Sequence, residues 1–575
     1  MKFFHVYNDW HIKGLEKNNL INEDTGFKIQ HAFSVPDELK FNNLAAKGGK
    51  LHNLIKENKI PFYVDRIAGG ITYHKYNFDK SLIREYDDIL GDWFLGFQLH
   101  ESASNIYDSD FAELLRHMDG KKGPYNLEEL KEKSRSPYTL PDGSTLYGFS
   151  HDTPENYAQI TRPETPKEFL EHITSRYKRY LDETANHILP VDSFYLMTRL
   201  HNELGMKTFM PEVGWQIGQM RIAVASARGT AENNSKTWGT YYETWNAAPT
   251  EYDLSMPCFN DAPTNEWYLA QEQHPDDFST HGPNGGSSRR LQKRIYYYSL
   301  MAGADYMGEE WGLNCSYTDM NTFELSEYGL AKKEFIDFFR DYKKMKARVP
   351  FAIVLPKEYY CIELPHAFGP HHLGEGRAKY MQCTLSSEKS EFNSFVEDVI
   401  YFIYKNHGGE FGNESHILTN SRFGDLFDII YEDADEKTFA KYDALIDATP
   451  DSRITKKFGD KHRVFEAHDL EKLECDIKEL SREILPVTCD KLLWLLSEDE
   501  NGRYLSIFNN EGNYRSRATG DTIDHSADAR VKVNFKECGE LTPIKLSSNN
   551  IKIEKTDNST YFVDMPATEF AIFRY

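Results

Sequence analysis

Cysteine is scarce. The 575 residues hold seven (Cys258, Cys315, Cys361, Cys383, Cys475, Cys489 and Cys538), scattered, odd in number and without a CxxC pair. This argues against a disulfide framework and a thiolate metal site, and it fits thiols kept reduced in a cytosol. Long apolar runs are missing too: no uninterrupted stretch of about 18 apolar residues exists, so no membrane span is expected. The first residues, "MKFFHVYNDWHIKG", place Asp9 and His11 where a secretory leader would be apolar, which points to a cytoplasmic protein. A chain whose leader had been cleaved would read the same. Positive charge is in deficit, with 67 Lys and Arg against 90 Asp and Glu, a net charge of −23 and no basic run. A polyanion would be repelled on average, so no nucleic-acid partner is expected. Neither GxGxxG nor GxxxxGK[ST] follows a strand candidate in the first half, so the usual phosphate-cradling turn is absent. "HESAS" at His100 is not HExxH, and His371–His372 has no paired carboxylate motif. Neither a metal site nor a cofactor is expected.

What is present is an ordinary globular composition, 40% hydrophobic and 27% charged, with aromatics at 14%. A chain of this length exceeds one hydrophobic core, so two to four domains are expected. Up to about residue 345, short apolar strands alternate with helical patterns. Strand candidates are "FFHVYND", "FKIQHAF", "IPFYVDRIAGG", "WFLGFQLHE", a weakly marked run at Leu189–Val191, "KTFMPEVGW", Trp238–Tyr242 and "ADYMGEEWG". Between them lie helical stripes such as Ile217, Met220, Val224 and Ala227, and Leu291, Ile295, Tyr298 and Ala302. Eight strands, each followed by a helix, predict an α/β fold in the form of a (β/α)8 TIM barrel over residues 1–348, with a doubly wound open sheet as the structural rival. Two long connections, from Ser102 to about Glu164 and from Asn246 to about Ser288, are expected to shape a cleft or lid. From "PFAIVLP" a second set of α/β elements predicts a small open parallel sheet over 349–487. Alternating strands such as "RYLSIFNN" and "TYFVDM" then predict an antiparallel β-sandwich over 488–575.

In such barrels the chemistry sits where strands exit at the C-terminal face. The first strand ends in Asp9, Trp10 and His11, the third in Asp65 and Arg66, and the fourth in His100 and Glu101. The sixth supplies Glu212 and Trp215, the seventh Glu243 and Trp245, and the eighth Glu309, Glu310 and Trp311. Indole faces stack on pyranose C–H faces, and carboxylates accept sugar hydroxyls and supply the two groups that glycoside cleavage needs. One carboxyl, its pKa raised by burial or a like charge, protonates the leaving oxygen; the other attacks the anomeric carbon or activates a water. Any one of these glutamates could instead bind an arginine or a helix N-terminus, and any one tryptophan could be core. Their concurrence on several strands favours a saccharide site.

On these residues the chain resembles clan A glycoside hydrolases, and in plan it is most similar to the family 42 β-galactosidases, as a distant relative rather than a member. The resemblance implies a catalytic barrel, an amidotransferase-like α/β domain used in oligomer formation, a small β-sandwich, and a homo-oligomer (dimer or trimer). It also implies an acid/base glutamate ending the fourth strand and a nucleophile ending the seventh, which here are Glu101 and Glu243. One departure is His100, standing where the clan has asparagine before the acid/base. The expected function is therefore a retaining exo-β-glycosidase on oligosaccharides, with Asp9, Trp10, Asp65, Arg66, His100, Trp215, Trp245, Glu309 and Trp311 around the sugar. Two alternatives stay open: an inverting or otherwise atypical hydrolase using Glu212 and Glu310, and a non-catalytic carbohydrate-binding protein.

Overall fold

A computed structural model describes the chain except at residues 8–9, 30–36, 69–77, 101, 103–105, 107–122, 134, 140–144, 149–154, 156–157, 162, 164, 193–195, 215–219, 244–265, 269–285, 311, 320, 362–381, 385–389, 405–416 and 517–519. Eight parallel strands form a nearly closed barrel: β1 (Lys2–Tyr7), β2 (Thr25–Ile29), β3 (Phe62–Ala68), β4 (Phe94–His100), β5 (Ile188–Val191), β6 in two pieces (Thr208–Phe209 and Glu212–Val213), β7 (Thr237–Glu243) and β8 (Tyr306–Glu310). Ladder pairing runs β5-β4-β3-β2-β1-β8-β7-β6. Across the remaining seam, two backbone hydrogen bonds join β6 to the β5 side: Met210 N–H to Pro190 O at 3.3 Å and Glu212 N–H to Asp192 O at 2.9 Å. The barrel thus replaces the open-sheet rival.

Strands in a barrel are covered on both sides, so they must be apolar on both faces. All seven residues of β4 are buried, and in β1 every residue but Lys2 is. Alternation then sorts the side chains. Phe4, Tyr63, Leu95, Leu189, Val191, Met210, Tyr241 and Tyr306 fill the lumen as one cluster, while Phe3, Tyr7, Phe27, Val64 and Tyr242 face the helices. Each large side chain buried this way contributes roughly 1.5–3 kcal/mol. Gly308 makes room for this filling: a Cβ there would sit 2.8 Å from the Tyr63 hydroxyl and 2.9 Å from Met210 Cε.

The surrounding helices include α1 (His11–Lys17), α2 (Lys50–Asn58), α3 (Lys80–Leu90), α4 (Pro166–Glu183), α5 (Thr198–Glu203), α6 (Met220–Asn233), α7 (Arg289–Met301) and α8 (Glu327–Phe339). Their starts are written in the sequence. Asp79 caps α3 through the Ser81 and Leu82 N–H groups, Thr165 and Glu168 form a capping box on α4, and Ser288 and Ser326 cap α7 and α8. Among the described residues no helix is long and apolar enough to cross a membrane.

Downstream, β9 (Phe351–Leu355), β10 (Phe427–Tyr431), β11 (Ala444–Asp447) and β12 (Val464–Glu466) form a parallel sheet in the order β10-β9-β11-β12, accompanied by helices α9 (Ser390–Tyr404) and α10 (Leu470–Ile484). Two antiparallel sheets follow. One holds Lys346–Ala347, Leu493–Asp499, Gly502–Phe508, Phe570–Arg574 and Thr542–Leu546; the other holds Val487–Cys489, Ala529–Phe535, Thr560–Met565 and Lys552–Lys555. Lys346–Ala347, inside the span read as barrel, therefore pairs with the C-terminal strands. Helix α6 ties barrel and parallel sheet together: buried Arg228 reaches Asp428 at 2.7 Å and Asp425 at 3.1 Å, and Tyr298 donates to the same Asp425 at 3.1 Å.

Candidate active site

Strand parity decides which residues meet. On β8, Tyr306 lies in the lumen, so Gly308 and Glu310 face inward and Glu309 outward. On β7, Tyr241 and Glu243 face inward, and the register sets Tyr241 beside Glu212 and Glu243 beside Glu310. On β4, Gln98 and His100 share the inner face across from Leu189 and Val191 of β5. The C-terminal mouth thus gathers His100, Glu212, Glu243 and Glu310, all buried at 1–3% exposure. His100 Nε2 lies 3.6 Å from a Glu212 oxygen and 3.8 Å from a Glu310 oxygen. One atom from each of these three residues fits within 4.8 Å of the other two.

The mouth has built walls. The Gln98 amide nitrogen stands 3.0 Å from His100 Nδ1, and the imidazole meets the Tyr241 ring edge-on, centroids 5.8 Å apart. Lys28 of β2, almost wholly buried, sits 3.2 Å from Asp65 of β3 and donates to the Tyr241 hydroxyl at 3.1 Å and the Glu309 carbonyl at 3.0 Å. Burial, then Tyr241, Asp65 and Glu309, push the Tyr63 phenol well up, so it stays an O–H donor. The Glu243 carboxylate rests against Gly214 just beyond β6, where a Cβ would come 1.6 Å from Oε2.

Glu309 is placed differently from its neighbour. Its carboxylate points into the helix layer, where it accepts from the Tyr296 hydroxyl, from the Tyr328 hydroxyl at 2.5 Å, and pairs with Lys332 of α8 at 2.6 Å. Burial first and then Glu309 raise both phenols well above the usual range, so each remains a donor. Trp10 precedes α1, is 37% exposed and leans on Phe323, ring centroids 4.7 Å apart. Trp238, at the start of β7, is buried in the outer core. Asp9, Glu101, Trp215, Trp245 and Trp311 lie outside the described residues, as do His371, His372 and the Arg66 side chain. The structure therefore brings together Asp65, His100, Glu212, Glu243 and Glu310, and sets Glu309 and Trp10 apart from them. Lys28, Gln98 and Tyr241 escaped the sequence reading; the signal for Lys28 was a lone cation inside the apolar strand "FKI".

No family model matches the sequence, and no curated protein matches it. Among solved structures, the chain is similar to "Alpha-L-fucosidase isoenzyme 2 from Paenibacillus thiaminolyticus" at 10% identity, covering 100% of this chain and 99% of that chain, with a TM-score of 0.41. It is similar to GH5_18 from Streptomyces cattleya, solved in complex with GlcNAc, at 11% identity over 82% of this chain and 99% of that chain, TM-score 0.33. It is similar to the alpha-amylase from H. orenii at 10% identity over 100% of this chain and 99% of that chain, TM-score 0.21. At such identities and scores these likenesses assign nothing to the residues of the mouth.

Proposed function

We propose that the chain is a glycoside hydrolase, a retaining exo-β-glycosidase acting on oligosaccharides, with Glu243 as nucleophile and Glu101, which follows the last residue of β4, as acid/base. One observation carries the reading: three glutamates and a histidine from four strands converge, buried, at the C-terminal mouth of a parallel barrel. Cleavage of a glycosidic bond needs a carboxylate to stabilise or attack an oxocarbenium-like centre and a protonated partner for the leaving oxygen. Glu243, buried in this cluster, offers the carboxylate, and Glu101 is read as the protonated partner. Asp65 and His100 border the site as hydrogen-bonding groups for sugar hydroxyls. The plan of barrel, parallel sheet and antiparallel sheets supports the likeness to family 42 enzymes and, with it, a homo-oligomer.

A second reading gives the chemistry to Glu212 and Glu310. Their oxygens approach within 4.8 Å. In this reading the pair acts as an inverting or otherwise atypical hydrolase, and the anomer that forms first distinguishes it from retention through Glu101 and Glu243.

The experiment is hydrolysis of a panel of aryl β-glycosides followed by proton NMR of the first-formed sugar. A β-anomer appearing first is the expected result. An α-anomer appearing first contradicts retention, and saccharide binding by calorimetry with no hydrolysis of any substrate contradicts the enzymatic reading altogether.

A further inference from the structure

The exits of β4, β5 and β6 meet at one buried residue outside the mouth. Val191, the last residue of β5, packs in the lumen, so the next side chain, Asp192, turns outward to the helix layer. There it is buried and accepts two hydrogen bonds on one oxygen, from Ser102 Oγ at 2.7 Å and from the Tyr177 hydroxyl of α4 at 3.1 Å. The Ser102 and Tyr177 hydroxyls also meet each other, and His201 Nε2 of α5 stands 3.2 Å from the Tyr177 oxygen. Ser102, Tyr177 and His201 are all buried.

The protonation states fit this arrangement. Burial first, and then Asp192, raise the Tyr177 phenol well above its usual range, so it stays a donor. Burial holds His201 at about 3, so its ring is neutral and its 3.7 Å approach to Asp192 is not an ion pair. With the phenol proton given to Asp192, the Tyr177 oxygen accepts from a His201 Nε2–H.

Asp192 also acts through its backbone. Its carbonyl accepts from the Glu212 N–H at 2.9 Å, across the seam between β5 and β6. On the far side of Glu212, the Tyr241 N–H donates to the Pro211 carbonyl at 2.9 Å. Toward β4 the tie runs through the side chain. His100 is in register with Val191, Ser102 is bound to Asp192, and Glu101 is the single residue between His100 and Ser102 in the chain. Consecutive Cα atoms are ~3.8 Å apart, so a residue between two held neighbours has little backbone freedom.

We propose that Asp192 is a positioning residue for the mouth: through Ser102 it fixes the His100–Glu101 segment, and through its carbonyl it fixes Glu212. It faces the helices and acts only through these neighbours. The part given to Glu101, as proton donor to the leaving oxygen, rests on the glycosidase reading. Displacing such a group by about 1 Å costs on the order of 100-fold in rate.

The test compares leaving groups. Ser102→Ala removes the tie to β4 and spares Asp192 and the seam. A methyl β-glycoside needs a proton on its leaving oxygen, whereas dinitrophenolate departs as the anion. Ser102→Ala should therefore lower kcat/KM by about tenfold or more on the methyl glycoside and by less than about twofold on the dinitrophenyl glycoside of the same sugar. Tyr177→Phe should show the same split to a smaller degree. Equal losses on both substrates, or no loss on either, overturn the proposal, because a merely structural role does not discriminate between leaving groups. Circular dichroism confirms folding, and where one variant does not fold the other carries the comparison. Crystal structures of the wild type and the variant add a readout that needs no activity. The His100 ring or the Glu101 carboxyl should move by more than about 0.5 Å, the tolerance of a productive site, while the barrel strands superpose. Side chains that stay in place overturn the proposal. A wild type that cleaves no glycoside loses the proposed function, and the crystal structures alone then decide the positioning.

Discussion

Glu243 and Glu310 are register partners on adjacent parallel strands, both facing inward and both buried. Neighbouring strands lie about 4.8 Å apart, so the backbone itself holds these two carboxylates side by side. No loop conformation is needed to bring them together. Their proximity follows from β7 and β8 pairing in the register that places Tyr241 against Gly308.

Gly214 keeps the Glu243 carboxylate in place. A Cβ at position 214 would come 1.6 Å from Oε2 and 2.7 Å from Cδ. Gly214→Ala must push the carboxylate aside. A displacement of about 1 Å costs on the order of 100-fold in kcat, while overpacking costs about 1–3 kcal/mol of stability. Steady-state kinetics beside a thermal melt check this; full kcat in a folded variant would show that Glu243 has no fixed position to lose.

Glu309 is held by Lys332, Tyr296 and Tyr328 on the outer face of β8, away from the mouth. Glu309→Gln leaves the buried Lys332 ammonium without its carboxylate, a loss of about 3–5 kcal/mol. The melting temperature should fall and KM for any cleaved glycoside should stay within twofold of wild type. A large rise in KM with an unchanged melt would place Glu309 at the substrate instead.

The adjacent pair Glu309 and Glu310 shows how far the sequence could be read. Eight apolar strands with helices between them predict the barrel and the strand ends where acids gather. Alternation also says that one of two adjacent glutamates points in and the other out. Which one points in depends on what fills the lumen, and that is set by Tyr63 and Met210, of other strands, packing beside Gly308 and Tyr306. The fifth strand was weakly marked because Pro190 interrupts it, and Pro211 separates the two pieces of β6; both prolines lie at the seam, where a missing ladder donor is tolerated. Lys28 was unreadable because its partner Asp65 belongs to another strand and its charge makes sense only beside it.

Lys28 and Asp65 form a buried pair with side chains 2% and 7% exposed. Lys28→Met strands the Asp65 carboxylate and should cost about 3–5 kcal/mol. Lys28→Met with Asp65→Asn should recover more than half of that. Thermal melts of the two single variants and the double variant form the cycle; additive losses would mean that the pair is not coupled.

Stability should also depend on mild acid. Burial holds His11 and His201 at about 3, and His5 is lowered well below its usual value by burial and then by Lys332 and His11. An unfolded histidine titrates near 6.5, so the unfolded chain takes up protons first as pH falls. Each histidine therefore removes stability below about pH 6.5, at up to about 1.4 kcal/mol per pH unit, until its folded value is reached. Melting temperatures between pH 7 and pH 5 should drop steadily, and His11→Asn should flatten part of the slope. A melt independent of pH over that range contradicts the burial of these rings.

The role of Glu243 is open to one direct measurement. On an aryl β-glycoside cleaved by the wild type, Glu243→Ala should lower kcat on the order of 10⁴-fold. Added azide should then restore turnover and give a glycosyl azide of inverted anomeric configuration, because the anion enters where the carboxylate stood. Near wild-type turnover in Glu243→Ala, or inactivity that azide leaves unchanged while Glu310→Ala responds to it, would show that the nucleophile is elsewhere.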